Sequence, residues 1–449
     1  MTDAPAVEPN VRSPWSFAHA LRRGLFADTA GTVALNGSTI VLGFGATLLL
    51  SRILGVSGYG AYAFAFAWAS VLAVPALLGL TPLVIRHVAA YRAREEWGPL
   101  RGILRRSNQA VALSAGSLVA LGAVLGWAAH RSEPELVRPF WIGLLLVPII
   151  ALTALRQAAM QGLGRVVVGR LPETIVAPAL FIVLIGGGAL VGDALSPSSA
   201  IALQVVAAAV AFAIGAYLLR GSLPAAVRLV APAYETHTWA RSALPLFAMS
   251  GVTAVNAQVG TIFLGALEGP EEAGIYGVAS RVAVFTSFVA LAATYPLMPA
   301  AARVYATQGR DELQRLVARS ARVVALASIP LIVGLVVFAE PCLRLFGGDF
   351  EQGANALRLM ALGEGVKVSL GFGGLALVMT GREGQLTKAV AAGAAATLLL
   401  NPALIPFFGV EGAALATAAG ATLTALIAAV LAWTRLGIYA PAFGALRKR

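Results

Sequence analysis

Apolar runs of about 20 residues, the length that carries a helix across a bilayer core, recur along almost the whole chain. Read in order they number twelve, at roughly 31–51, 61–83, 108–129, 137–155, 172–191, 199–219, 242–265, 274–298, 320–339, 355–378, 388–406 and 412–433. The fifth and eleventh are the least regular, since they contain Pro178 and Asn401-Pro402. Proline is tolerated in membrane helices because neighbouring groups or water satisfy the backbone it frees. No polar connector exceeds about thirty residues, which leaves no room for a soluble catalytic domain. Ahead of the first span, Trp15, Ala18, Leu21 and Leu25 fall at near-helical spacing beside Arg22 and Arg23. That reads as a short interfacial helix or as an unordered tail. Residues 1–30 lack the uninterrupted apolar core of a cleavable signal peptide.

The pattern repeats. The stretch Ser51 to Ser107 opens with SRILGVSGYGAYAFAF and closes with a basic connector, and a counterpart follows at an offset of 213–214 residues. Tyr59-Gly60-Ala61-Tyr62 aligns with Ala273-Gly274-Ile275-Tyr276, Tyr91 with Tyr305, and Arg106-Ser107 with Arg319-Ser320. An offset near half the chain length points to a duplicated unit. The expected organisation is an all-α polytopic membrane protein of about 12 helices in two pseudo-symmetric six-helix bundles. Its parts are a tail at 1–30, a first bundle at 31–220, a linker at 221–241, a second bundle at 242–433 and a basic tail at 434–449. Six spans per half keep the halves in the same orientation, about an axis along the membrane normal, with the substrate cavity expected between them.

Composition agrees and removes alternatives. The chain is 58% hydrophobic and only 12% charged, against roughly a quarter charged in soluble domains. Its net charge of +12 would raise nucleic-acid binding in a soluble protein. Here topology absorbs it: with the amino terminus inside, 26 of the 33 Lys and Arg fall in inner segments and 5 in outer loops. That is a strong positive-inside bias with both termini cytoplasmic. The one cysteine, Cys342, permits no intramolecular disulfide.

Enzyme chemistry finds no foothold. None of the lysines, Lys367, Lys388 and Lys448, is followed by Ser or Thr, so a Walker A phosphate loop is absent. The four histidines are scattered singly, with no metal-ligand cluster, and no cofactor is implied. Polar residues within spans remain, and these are costly in hydrocarbon unless they face a cavity or a partner. Arg281, one turn into the eighth span, has no acidic residue within a turn and is the sharpest candidate for lining an anion-binding cavity. Arg52, at the outer end of the first span, either joins it or snorkels to the interface. Glu364 and Lys367, three apart in the tenth span, form a structural pair, or Lys367 joins the arginines as a substrate-binding cavity residue and Glu364 titrates as a coupling site. Asn256 and Gln258 either hold helices together or bind ligand, and Asn36 and Gln204 add further polar points. A guanidinium suits phosphate because its planar donors grip two oxygens at once.

LSRILGVSGYGAYAFAFAW, followed by a span ending near LGLTPLVIRHVAAYRA, resembles the opening of Wzx-like polysaccharide and oligosaccharide flippases. These belong to the multidrug/oligosaccharidyl-lipid/polysaccharide (MOP) exporter superfamily. LRQAAMQGLGRVVVGR after the fourth span is similar to the family's pattern, and LVMTGREGQLTK is its partner, Gly164-Arg165 matching Gly381-Arg382. The resemblance implies a flippase in the bacterial cytoplasmic membrane, not an enzyme. It would move undecaprenyl-pyrophosphate-linked oligosaccharide to the outer leaflet by alternating access without ATP, for surface polysaccharide such as O-antigen lipopolysaccharide. Because one chain supplies both halves, a monomer among membrane lipids is the simplest expectation, with contacts to glycan polymerase machinery. In the related lipid II flippases, cavity arginines contact the pyrophosphate, and Ser51-Arg52-Ile53-Leu54-Gly55 matches one such context. Drug-exporting relatives are the main alternative. They often place an acidic coupling residue in the first span, and GTVALNGSTIVLGFGATLLL has none. A membrane glycan polymerase or ligase fits less well, because the outer loops are short and mostly acidic.

Overall fold

The computed structural model describes residues 14–129, 134–190, 195–236, 239, 257–439 and 441–442. Every regular element among them is helical, as lipid requires, because a helix satisfies its own backbone where no water can. The first half comprises α1 (Pro14–Ala76), α2 (Leu80–Ala93), α3 (Trp97–Ala129), α4 (Pro134–Gly143), α5 (Leu146–Gly162) and α6 (Val166–Leu171). A one-turn π-helix (Pro172–Val176), α7 (Ala177–Leu190) and α8 (Pro197–Ser222) complete it. A short α9 (Ala225–Leu229) begins the linker. The second half holds α10 (Ala257–Leu267), α11 (Pro270–Gln308), α12 (Arg310–Val337), α13 (Ala339–Arg344), α14 (Ala354–Ser369), α15 (Gly373–Met379) and α16 (Glu383–Leu436).

Among the described residues, eight helices are long and apolar enough to cross a membrane. Two are double-length, α1 broken at Gly55 and α16 at Gly409, and each supplies two of the expected spans. The α14–α15 pair, bent by 47°, supplies the tenth. Helix α10 is the described end of the seventh, whose remainder lies outside the described residues. The architecture is an all-α polytopic membrane fold. Its departures from the sequence reading are local. Helix α1 starts at Pro14, so the segment before the first span is helical and continuous with it. The second span is interrupted where Leu78 and Gly79 turn through positive φ before α2. Around Asn401-Pro402, by contrast, α16 stays helical, with Asn401 buried and its Nδ2 donating to Thr397 O at 2.7 Å.

The duplication is written in the backbone. Gly55 (φ 69°) divides the first two spans, and Gly269 (φ 110°) divides α10 from α11. Glu95 (φ 57°) makes the turn before α3, and Gly309 (φ 80°) makes the turn before α12. Gly164 and Gly381 pair likewise, at φ 73° and 72°. The aligned glycines Gly60 and Gly274 meet: a Cβ on Gly60 would lie 1.6 Å from Pro270 O and 2.8 Å from Gly274 N. Equivalent positions of a repeat touch only beside the axis relating them. The two halves therefore pack about this pair of glycines, where small residues let helix backbones close.

Leu113, Leu121 and Trp127 of α3 and Leu399 and Phe407 of α16 stand exposed, apolar surface suited to lipid rather than water. Residues 230–235 and Trp239 fold onto the ends of α2 and α3. Arg101 Nη1 donates to Val230 O at 2.7 Å, Ala233 N to Gly98 O at 3.0 Å, and Trp239 Nε1 to Tyr91 Oη at 3.2 Å. Tyr91 Oη in turn donates to Glu235 at 3.1 Å.

His87 packs 5.5 Å from the Tyr91 ring, with Nε2 buried and unpartnered among the described residues. Burial, then the Arg86 charge, holds its pKa below the ordinary value, and Glu235 opposes them. A depressed histidine favours the neutral form in the folded state. Its contribution is complete above the unfolded value of about 6.5 and is lost as pH falls through the lower native value. Limited proteolysis of the linker is therefore expected to be faster at about pH 5 than at neutrality. His87→Gln should flatten that dependence, and an unchanged profile in this variant would remove His87 from the explanation.

Candidate functional site

A cavity of about 430 Å³ lies between the halves, within the ~300–1,000 Å³ range of small-molecule sites. The first half contributes Thr39, Thr47 and Leu50 before the break in α1, and Tyr59, Tyr62 and Phe66 beyond it. Glu173 from the π-turn, Phe181 from α7 and Gln204 from α8 complete that wall. The facing wall is Gln258 and Thr261 of α10 with Ser280, Arg281 and Val284 of α11. Residues 277, 280, 281 and 284 recur at helical spacing, so one face of α11 forms the wall.

Arg281 is exposed into this space and has no ion pair or hydrogen bond among the described residues. It lies within electrostatic reach of Tyr59 and Tyr62. Glu173, across the cavity, is bound from behind: Arg156 Nη2 pairs with Oε1, and Gln157 Nε2 donates to Oε2 at 3.1 Å. Arg156 is 4% exposed and Glu173 18%. A π-bulge of this kind re-aims a side chain at one point of a helix and often marks a functional site. Arg156 fits because Gly215 of α8 has no side chain; a Cβ there would sit 2.0 Å from Nη1. Arg156 Nε and Nη1 and Gln204 Oε1 are buried without partners among the described residues. Four aromatic rings, Tyr59, Tyr62, Phe66 and Phe181, line the same wall. Tyr62 and Phe181 are near-parallel at 6.0 Å and 16°, and Tyr62 and Phe66 at 6.3 Å and 11°.

Of the residues singled out by sequence, Arg281 and Gln258 come together on this wall, and Gln204 faces them. Asn256 lies outside the described residues. Asn36 accepts from Arg170 Nη2 at 3.1 Å, tying α1 to α6. Lys367 Nζ donates to both Glu364 oxygens at 2.9 Å, in a separate pocket of about 340 Å³ within the second half. Arg52 is exposed and does not line the central cavity; its Nε donates to Leu345 O at 2.7 Å. Beside it Ser51 Oγ donates to Phe346 O at 3.1 Å, and the Phe346 and Phe350 rings pack on Phe44 and Tyr59. The first spans of one half are thus clasped to a loop of the other at the end the charge bias assigns to the outside. Arg156 corrects the charge count. It is no inner-loop arginine but a buried member of the bundle.

The family model for polysaccharide biosynthesis proteins matches residues 25–304, well over half of the chain. The chain belongs to that family. A second model, MatE, matches residues 245–383. A relative described as a probable flippase, AglR of Haloferax volcanii, is 26% identical over 171 residues. That alignment covers 37% of this chain and 36% of the relative, so the chain spans about a third of its length. Among solved structures, an inward-facing multidrug resistance MATE family transporter of the MOP superfamily matches with TM-score 0.70 and 14% identity, covering 89% of this chain and 94% of that one. The lipid II flippase MurJ, in an inward closed conformation, matches with TM-score 0.70 and 14% identity, covering 88% and 86%. At such identities the likeness establishes the fold alone, an all-α polytopic membrane fold.

Proposed function

We propose that this protein is a flippase for lipid-linked oligosaccharide, moving an undecaprenyl-pyrophosphate carrier across the bacterial cytoplasmic membrane by alternating access, with both termini inside. The observation that carries the reading is Arg281, a guanidinium unpaired among the described residues, on the wall of the inter-half cavity. A diphosphate headgroup cannot enter hydrocarbon bare, and one fixed cation in a low-dielectric cleft gives it a place to be desolvated. The lipid tail stays in the bilayer while the headgroup passes between the halves. Supporting this are membership of the polysaccharide biosynthesis family and the similarity to AglR and MurJ, both described as flippases. The clasp at Ser51 and Arg52 fits a state closed outside and able to load from inside.

A cation-coupled multidrug exporter is the second reading, favoured by the MatE match over residues 245–383. Complementation separates the two. In a bacterial strain lacking its own O-antigen or capsule flippase, the wild-type gene is expected to restore surface glycan. Arg281→Ala, delivered to the membrane at equal level, is expected to lose most of that restoration, since truncating a desolvated charge contact costs about 2–5 kcal/mol. Full export by Arg281→Ala would reject the site. Raised resistance to cationic dyes without glycan export would select the exporter.

A further inference from the structure

The two walls of the central cavity differ in chemistry, and the difference calls for a ligand with two unlike parts. The second-half wall offers a cation, Arg281, that is unpaired among the described residues. Among the described residues the first-half wall offers none: the ionic group on it, Glu173, is already neutralised by Arg156. What that wall presents instead is a strip of near-parallel aromatic rings beside hydrogen-bonding groups. We propose that the first-half wall is a sugar subsite, which takes the pyranose ring next to the phosphate on Tyr62 and Phe66 and binds its hydroxyls through Gln204 and Glu173. This rests on the flippase reading above and adds to it the residues that sense the glycan.

A pyranose is neutral, with hydroxyls that both donate and accept around its rim and C–H bonds on its faces. Parallel rings match the faces, because the negative face of an aromatic ring attracts C–H groups. Amides and carboxylates match the rim. Gln204 Oε1 is buried without a partner among the described residues, an arrangement that is unfavourable unless a ligand supplies the donor. Each Glu173 oxygen already accepts one bond, from Arg156 or Gln157. A carboxylate has about four lone-pair sites, so its outer edge can still accept hydroxyls. Held from behind in this way, Glu173 is fixed as an acceptor.

Size sets the reach. A cavity of about 430 Å³ encloses a headgroup and little more. The sugar adjoining the phosphate is therefore sensed, and the rest of the glycan extends beyond the walls.

The test uses the full chain in lipid nanodiscs, titrated with undecaprenyl diphosphate and with the same carrier bearing a single glucose, galactose or N-acetylglucosamine. Binding is read as tryptophan fluorescence change. The wild type is expected to bind at least one glycosylated carrier about tenfold more tightly than the sugar-free one, the order of one hydrogen bond plus one ring contact. Gln204→Leu and Tyr62→Leu should bring that ratio towards one, and Tyr62→Phe, which keeps the ring, should retain it. Arg281→Gln should weaken every diphosphate alike and leave the ratio standing. Ratios unchanged in both leucine variants, or a wild-type ratio of one for all three sugars, would overturn the sugar subsite alone. Failure of the wild type to bind any diphosphate would overturn the flippase reading and the subsite with it.

Discussion

Glu173→Ala is expected to destabilise the protein by about 3 kcal/mol or more, because it strands the Arg156 guanidinium inside the first half. Arg156 is 4% exposed and is wedged against Gly215, with Nε and Nη1 already lacking partners among the described residues. Removing its counter-charge leaves a buried cation with Gln157 too weak to replace it. Breaking a buried pair of this kind costs about 3–5 kcal/mol, and Glu173 on the cavity wall, 18% exposed, places this one at the lower end. Against a total of roughly 5–15 kcal/mol, that is a large fraction. Thermal unfolding of the purified protein in detergent should show a clear drop in midpoint, with reduced membrane yield. Replacing both partners by apolar residues, Arg156→Met with Glu173→Leu, should recover much of the loss, since neither then carries a charge that needs pairing. An unchanged midpoint in Glu173→Ala would mean that water reaches Arg156 and that the pair is not a buried one.

The same pair marks the limit of what is legible in the sequence. Arg281 stands out because a lone cation in a span demands an explanation from one helix alone. Gln258 does so as an amide in an apolar run. Glu173 does not, because it follows Pro172 at the edge of the fifth span, where an acid reads as interfacial. Arg156 falls one residue past the expected end of the fourth span at 155, whereas α5 continues to Gly162 and carries it inside. A signal is present all the same: the two charges lie nearly equidistant from the turn at Gly164, which antiparallel neighbours would bring together. The clasp has no such signal. Ser51 meets Phe346 across a separation of 295 residues, and Arg52 meets Leu345 across 293. Hydropathy sees one helix at a time, while contacts between halves depend on how each helix is rotated about its axis. The repeat is the exception, because symmetry forces equivalent residues near the axis to meet, and Gly60 and Gly274 do so.

That meeting yields the second large effect: Gly60→Val is expected to block export while the protein still folds and reaches the membrane. A Cβ on Gly60 would lie 1.6 Å from Pro270 O, and one on Gly274 would lie 2.3 Å from Val56 O. Both obstacles are backbone, which cannot swing aside as a side chain does. Overpacking of this kind costs about 1–3 kcal/mol. Here the penalty falls on one state, the one in which the halves close about these glycines. A bias of about 1–3 kcal/mol shifts a two-state equilibrium by roughly 5–150-fold. In the proposed alternating cycle, every turnover passes through that closed state to load from inside, so its depletion slows export in proportion. Cysteine labelling from the outside should find positions near the clasp more accessible in Gly60→Val. Gly274→Val should behave alike, because it forces apart the same two helices from the other side. Gly116→Ala is the control, since nothing lies within 4 Å of its would-be Cβ. Export by Gly60→Val equal to that of Gly116→Ala would show that the halves do not close on this pair of glycines during transport.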